Sequence, residues 1–189
     1  MDFYEVIYAR RAIRKYKADM VPQDILLKIL NAANWAPSGM NMQQWEFIVV
    51  SGTKKNQIGE SYARFSESYT KDWDQARREM FLRFASDFGG SPLLIVALTP
   101  ASQDDSIRKM HLESVSAAFE NLLLAACAEG LGSCWMTGPL RDDAGIRRIL
   151  DIDDDQEIVA VTPLGYPDMA PTAPARIDPE LKSKVRWVE

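Results

Sequence analysis

Apolar and polar residues alternate along the chain in a way that predicts short helices and short strands in irregular order. Apolar positions recur at helical spacing in four segments, each bounded by a capping residue, proline or glycine. These predicted helices lie at residues 2–10, 22–36, 113–129 and 142–150. Runs rich in β-branched and aromatic residues predict strands at 45–50, 93–98, 133–137 and 158–163. The strands follow neither βαβ spacing nor consecutive hairpins, so the predicted fold class is α+β, in one domain of residues 1–189.

The predicted helix at 113–129 is apolar around much of its circumference. The apolar residues that cover it are Val115, Ala118, Phe119, Leu122, Leu123, Ala126 and Cys127. Such a helix is buried on several faces, which in a small domain suggests packing against a partner subunit.

Residues 54–90 are charged and also rich in aromatic residues. They are either a pair of surface helices whose aromatic side chains pack on the core, or a mobile lid over a pocket for flat organic molecules. Tyr69 and Trp73 are the candidate substrate contacts in the second interpretation. The tail at 167–189 contains four prolines and is predicted to form an extended arm.

Composition excludes several classes of function. The chain carries 22 basic and 27 acidic residues, a formal net charge of −5, which argues against binding to nucleic acid or to an acidic membrane. Two cysteines and one histidine cannot build a zinc cluster, and we expect no metal site. No signal peptide or membrane-spanning run is recognised, so we expect a cytoplasmic protein.

Three segments carry candidate chemistry. Arg10, Arg11 and Arg14 place three guanidinium groups within five residues, which is either a phosphate site for a small ligand or a solvated basic turn. The polar loop at 36–45 offers donors and acceptors on the scale of a heterocycle. The segment at 131–139 ends in a glycine before Pro139, where backbone amides could face a ligand.

In this order the three segments resemble the nitroreductase family of FMN-dependent oxidoreductases. The resemblance covers almost the whole chain. Its motifs are Arg-Arg-x-x-Arg at 10–14, Ala-Pro-Ser-x-x-Asn-x-Gln-x-Trp at 36–45, Gly-Leu-Gly-Ser at 130–133, Thr-Gly-Pro at 137–139, Leu-Gly-Tyr-Pro at 164–167, and the late Arg176.

The resemblance implies a central, mostly antiparallel sheet flanked by helices, in an intertwined homodimer with an exchanged C-terminal arm. It implies one FMN per subunit at the dimer interface. The residues implied to hold the phosphate and ribityl chain are Arg10, Arg11, Ala12, Arg14 and Arg176. Those implied to line the flavin ring are Pro37, Ser38, Gly39, Asn41, Gln43, Met136, Thr137 and Gly138, with Thr137 and Gly138 near N5.

Two residues depart from the family pattern. Ala12 stands where the family usually has Ser or Thr, and Ala175 stands where many relatives have a second base. Each departure removes one contact to the cofactor, while the arginines remain.

The implied activity is ping-pong hydride transfer from NADH or NADPH through flavin N5 to a small flat electrophile, such as a nitroaromatic or a quinone. The chemistry belongs to the cofactor and needs no catalytic side chain. Three alternatives stay open: a flavin-binding or storage protein without turnover, a flavin-dependent reductive dehalogenase, and a plain dimeric scaffold. Pro139 stands where the dehalogenase branch would place a hydroxyl, but Thr137 keeps that alternative open.

Overall fold

An antiparallel four-stranded sheet lies at the centre of the protein, for which a computed structural model describes residues 2–189. The helices are α1 (Phe3–Ala9), α2 (Gln23–Asn34), α3 (Gly52–Tyr69), α4 (Gln75–Asp87), α5 (Asp105–Ala128) and α6 (Asp143–Leu150). The strands are β1 (Glu46–Ser51), β2 (Leu93–Pro100), β3 (Gly132–Ser133) and β4 (Gln156–Gly165), in the order β1-β2-β4-β3. The predicted α+β class and antiparallel sheet are confirmed.

Strand β2 is buried on both faces, because helices cover the sheet on both sides. Ile95 and Ala97 belong to a core formed with α2 and α5. Leu94, Val96 and Leu98, on the opposite face, pack into a second core with α3 and α6. The sheet therefore lies between two layers of helices.

Helix α5 begins at Asp105, eight residues before the predicted start. The Asp104 carboxylate accepts hydrogen bonds from the N–H groups of Ser106 (2.8 Å) and Ile107 (3.1 Å), which caps the longer helix. Much of its apolar circumference is covered within this chain by α1, α2 and the sheet, while Ala117, Leu124 and Ala125 stay partly exposed. Packing of this helix against a partner subunit stays a prediction.

The predicted strand at 133–137 is wrong beyond Ser133. The backbone N–H of Cys134 donates to the Thr162 hydroxyl (3.0 Å) instead of to a carbonyl, which interrupts the ladder. Met136 rejoins β4 through an isolated bridge to Val161, with N···O distances of 2.9 and 3.3 Å.

Residues 54–90 fall mainly within α3 and α4, as the paired-helix interpretation predicts. Tyr62 and Phe88 are fully buried and stack in the core, with their ring centroids 6.2 Å apart. Whether the helices move as a lid stays a prediction.

The tail at 167–189 contains no helix or strand in the part of the chain that the structure describes. Its first residues pair with the arginine-containing segment: Asp168 N–H donates to the Lys15 carbonyl, and Lys17 N–H donates to the Tyr166 carbonyl, both at 2.9 Å. Beyond residue 170 it is mostly exposed, and Asp178 folds part of it into a turn by accepting from the N–H groups of Lys182 and Ser183. Exchange of this arm between subunits stays a prediction. Over the residues described, no helix is long and apolar enough to cross a membrane.

Candidate functional site

The four arginines predicted to bind phosphate line one cleft of about 400 Å³. Arg10, Arg11 and Arg14 come from the segment after α1, and Arg176 reaches them from the tail. Ala12 and three tail residues complete the lining: Pro171, Thr172 and Pro174. We call this the arginine cleft. It joins residues that are more than 160 positions apart in the sequence.

The backbone of the arginine segment is fixed at the sheet edge. Ile13 N–H donates to the Ser133 carbonyl (2.9 Å), and Ala12 forms a parallel bridge to Ser133. Arg11 Nη1 donates to the carbonyls of Tyr8 (2.7 Å) and Arg10 (2.8 Å), which satisfies acceptors at the end of α1. Arg11 therefore has a structural task beside any role in binding.

Little negative charge offsets these cations. Arg10 Nε lies 3.9 Å from a Glu120 carboxylate oxygen. Within residues 2–189, Arg14 and Arg176 take part in no ion pair. In a chain of net charge −5, this concentration of unpaired guanidinium groups suits a multiply charged anion such as a phosphate monoester.

The predicted flavin-ring loop lies elsewhere in the protomer. Pro37, Ser38 and Gly39 line a separate cleft of about 260 Å³ against α5, and it shares no lining residue with the arginine cleft. Asn41 and Gln43 are exposed beside it. Within one protomer, the residues predicted to bind the phosphate lie together. The loop at 37–43, predicted to line the flavin ring, lies at a different cleft.

The loop is held in an unusual conformation by its own hydrogen bonds. Met40, Asn41 and Gln43 have left-handed φ values of 51°, 55° and 49°. Gln43 N–H donates to the Ser38 hydroxyl (3.0 Å), and Gly39 N–H donates to the Ser114 hydroxyl (3.1 Å). The Ser38 hydroxyl thus accepts one hydrogen bond within the loop, and its role as a ligand contact stays a prediction.

Two observations describe how this loop is packed. A Cβ on Gly39 would overlap the Met110 side chain, so the backbone here sits directly against α5. The side-chain amide of Gln44 is buried, and among the described residues neither its nitrogen nor its oxygen has a hydrogen-bond partner. A buried amide without partners is costly, so a further polar group is expected at this place.

Met136, Thr137 and Gly138 follow the short strand β3. Met136 is buried by its bridge to β4, whereas Thr137 is exposed at the bend. Among the described residues, nothing accepts a hydrogen bond from the N–H groups of Thr137 and Gly138. These two donors are available to a ligand.

The two predicted substrate contacts both pack against Phe81, but only one of them lines a cleft. Trp73 lines an apolar cleft of about 400 Å³ together with Phe81, and Arg14 lies at its border. Tyr69 does not line that cleft: its ring packs against Phe81 (ring centroids 6.2 Å apart), and the Arg141 guanidinium lies 5.1 Å from its ring.

The Tyr69 hydroxyl belongs to a partly buried cluster of hydroxyl groups. It lies 2.8 Å from Ser66 Oγ and donates to the Tyr62 hydroxyl over 3.5 Å. Burial, reinforced by this contact with Tyr69, raises the pKa of Tyr62 well above its usual value. Tyr62 thus stays a neutral phenol, and its oxygen points at Gly138.

The Nitroreductase family profile matches residues 7–166, most of the chain. The chain belongs to the nitroreductase family.

Members of the family resemble the chain along nearly its whole length. A Methanothermobacter thermautotrophicus protein, provisionally named as an NADH dehydrogenase/NAD(P)H nitroreductase, is 33% identical over 99% of this chain and 88% of its own length. The iodotyrosine deiodinase of Thermotoga neapolitana is 32% identical over 87% of this chain and 88% of its own length. An FMN-dependent nitroreductase structure from Clostridium difficile is 27% identical, with a TM-score of 0.73 and 99% of both chains covered.

The family match confirms the resemblance drawn from the motifs. It includes the arginine segment, the loop at 37–43 and residues 136–138, but it ends before the tail. Arg176 therefore lies outside the matched part, and its place in the arginine cleft is an observation about this chain.

Sequence reasoning missed Arg77, Met80 and Phe84, which line the apolar cleft with Trp73. A signal was present, because positions 77, 80, 81 and 84 have the spacing of one helix face. The high charge of the segment masked that pattern.

Proposed function

We propose that the protein is an FMN-dependent oxidoreductase that takes electrons from NADH or NADPH and passes them to a small flat electrophile, such as a nitroaromatic or a quinone. The single observation that carries the proposal is the meeting of Arg10, Arg14 and Arg176 in one cleft with little opposing charge. Family membership and the FMN-dependent relative supply the identity of the ligand.

The residues present fit FMN. The arginine cleft supplies fixed positive charge and bidentate donors for its phosphate. The unpaired N–H groups of Thr137 and Gly138 offer two donors to the polar edge of a ring system. Ala12 offers only its backbone, so the guanidinium groups carry more of the binding than in relatives with a hydroxyl at this position.

When bound, FMN supplies reversible two-electron transfer between a nicotinamide and an acceptor. The protein's part is to bind, orient and exclude water. Arg14 borders both the arginine cleft and the apolar cleft, so it links the cofactor's anionic end to the space for a second molecule. Cations and N–H groups near the ring favour its anionic reduced form.

We propose further that two copies of the chain complete each site. The loop at 37–43 is remote from the arginine cleft of its own chain, yet the Gln44 amide beside it needs a polar partner. Exposed apolar side chains lie in and next to the loop in the sequence, and others lie on α1 and near the tail end. They are Trp35 (81% exposed), Met40 (83%), Tyr8 (70%) and Trp187 (87%). Such residues are typical of an interface, and a second copy is the occupant that the family resemblance implies.

The first experiment is the visible spectrum of the purified protein, followed by anaerobic addition of NADH and, separately, NADPH. We expect flavin bands that bleach on addition of at least one of the two. Bands that persist with both nucleotides would instead support a flavin-storage protein. A colourless protein that does not take up added FMN would contradict the proposal and favour a scaffold.

Reductive dehalogenation is a second candidate, supported by one feature of this chain. Thr137 is exposed at the bend next to Gly138, so its hydroxyl is free to face a bound ring. A relative that is 32% identical is named as an iodotyrosine deiodinase. Iodide release from 3-iodotyrosine under reducing conditions, lost in Thr137→Val, would support this candidate. Release that is unchanged in that variant would remove Thr137 from it.

A further inference from the structure

We propose that the apolar cleft beside α4 selects flat aromatic acceptors that carry a carboxylate, and that Arg77 recognises the negative charge. We call it the α4 cleft; it is lined by Arg14, Lys15, Trp73, Arg77, Met80, Phe81, Phe84 and Met169. The inference rests on the proposed function, because it names the acceptor class for that same site.

The walls of the cleft suit an aromatic ring. Trp73 and Phe81 meet edge to face, with ring centroids 5.3 Å apart, so together they form a stiff apolar surface. Met80 is 68% exposed although it is apolar, and its thioether side chain can adapt to different substituents. A cleft of about 400 Å³ accommodates a substituted single-ring molecule.

The charges at the rim suit an anion. The Arg77 guanidinium lies 4.3 Å from the centre of the Trp73 ring, which holds it over the apolar wall. Lys15 is neutralised by Asp168, with Nζ and Oδ2 2.6 Å apart. Within residues 2–189, Arg77 and Arg14 have no carboxylate partner, so two cations face the α4 cleft without opposing charge.

The two cations have different tasks. Arg14 also lines the arginine cleft, so the phosphate of the cofactor competes with the carboxylate of a second molecule for this cation. Arg77 lines only the α4 cleft and is the cation left for the second molecule. A carboxylate leaving water for an apolar pocket needs a charged partner, and a planar guanidinium binds it in a bidentate manner. A neutral ring of the same shape gains nothing from Arg77.

The test compares 4-nitrobenzoate with 4-nitrobenzamide, which differ in charge and hardly in shape. The kcat/KM values for both are measured with NADH in the FMN-loaded wild type, Arg77→Gln and Arg77→Lys. We expect the wild type to prefer the carboxylate by about tenfold or more, the effect of one charge-assisted hydrogen bond. Arg77→Gln should abolish the preference through KM, and Arg77→Lys should restore part of it. The ratio is the readout, because a general loss of activity cancels in it.

Arg64→Gln is the matched control. Arg64 is an exposed arginine on α3, 4.0 Å from Glu60, and it does not line the α4 cleft. This variant should keep the wild-type ratio. A ratio near one in the wild type, or a ratio that Arg77→Gln leaves unchanged, would overturn the inference.

A second measurement separates this inference from the proposed function. Calorimetric binding of 4-nitrobenzoate to the oxidised, FMN-loaded protein needs no turnover. Binding that weakens about tenfold in Arg77→Gln supports the cleft even if NADH and NADPH reduce nothing. Loss of FMN from Arg77→Gln, in parallel with loss of acceptor binding, would assign the cleft to the cofactor and contradict the inference. An altered preference for NADPH over NADH with an unchanged carboxylate ratio would assign Arg77 to the nucleotide instead.

Discussion

The hydroxyl of Tyr62 occupies the space that a side chain at Gly138 would need. Gly138 has φ −58° and ψ −49°, ordinary right-handed helical values, so its backbone does not require glycine. What requires glycine is Tyr62 on α3, whose oxygen would overlap a Cβ at this position. The turn that carries the unpaired N–H groups of Thr137 and Gly138 therefore packs directly against the buried side chain of Tyr62.

This contact predicts that Tyr62→Phe will reduce the loss of stability caused by Gly138→Ala. Gly138→Ala should lower the free energy of unfolding by about 1–3 kcal/mol, the usual cost of overpacking. In the Tyr62→Phe background the nearest remaining atom is the ring Cζ, 3.2 Å from the new Cβ, so a small shift suffices and most of the cost should disappear. Urea denaturation of the four proteins measures the coupling. Equal costs in both backgrounds would show that the turn relaxes by another route.

Alkaline titration should find two tyrosines that resist ionisation. Burial raises the pKa of Tyr16, whose hydroxyl donates to the Ile13 carbonyl (2.6 Å), and burial likewise raises the pKa of Tyr62. Both neutral phenols are favoured in the folded state, so their contribution to stability is fully present below the unfolded pKa of about 10 and is lost as pH rises above it.

The measurement is tyrosinate absorbance near 295 nm, in which part of the signal should appear only when the chain unfolds. Tyr62→Phe should reduce that delayed portion by one tyrosine. A single smooth titration of all six tyrosines before unfolding would contradict the burial argument.

Removing the side chain of Arg14 should weaken FMN binding by about 1.5–3 kcal/mol, the range for a hydrogen bond to a charged group. Its guanidinium has no ion pair within the described residues and lines the arginine cleft. Fluorescence titration of FMN into Arg14→Ala measures the loss, with Arg64→Ala as the control for removing a surface arginine. Unchanged FMN affinity would mean that Arg14 faces solvent in the cofactor complex.

Deleting residues 171–189 should reduce dimerisation and FMN retention together, whereas Arg176→Gln should reduce FMN retention alone. The full-length variant keeps the arm and removes only the cation that joins the arginine cleft. Sedimentation and bound-flavin absorbance of the two proteins separate these effects. A truncated protein that stays dimeric and yellow would speak against exchange of the arm.

Sequence patterns predicted the fold well where a side chain's own neighbours decide its structure. Helix α2 buries Ile29 and Ala33 as their spacing predicts. The predictions failed where a distant group intervened: Thr162, from another strand, takes the N–H of Cys134 and ends β3. The sequence around residue 134 contains no pattern from which that hydrogen bond could be predicted.

The residues of the candidate site also differ in how far the local sequence could predict them. The arginine segment was recognisable from its own composition, and its meeting with Arg176 depended on the family resemblance because the tail has no periodicity. Arg77 was missed, since a charged helix face resembles any solvated surface until Trp73 is found beneath it. The loop at 37–43 was recognised by its motif, but its separation from the arginines is a property of the folded protomer.

The pairing of residues 15–17 with residues 166–168 has a consequence for synthesis of the protein. The arginine segment is made early, but the strand edge and the tail that hold it are made much later. Ser133, Tyr166 and Asp168 must all leave the ribosome before the backbone around Arg14 finds its hydrogen bonds. Nascent chains released before residue 168 should therefore fail to retain FMN even where their central helices have formed, so the cofactor is acquired only after the segment that pairs with residues 15–17 has been made.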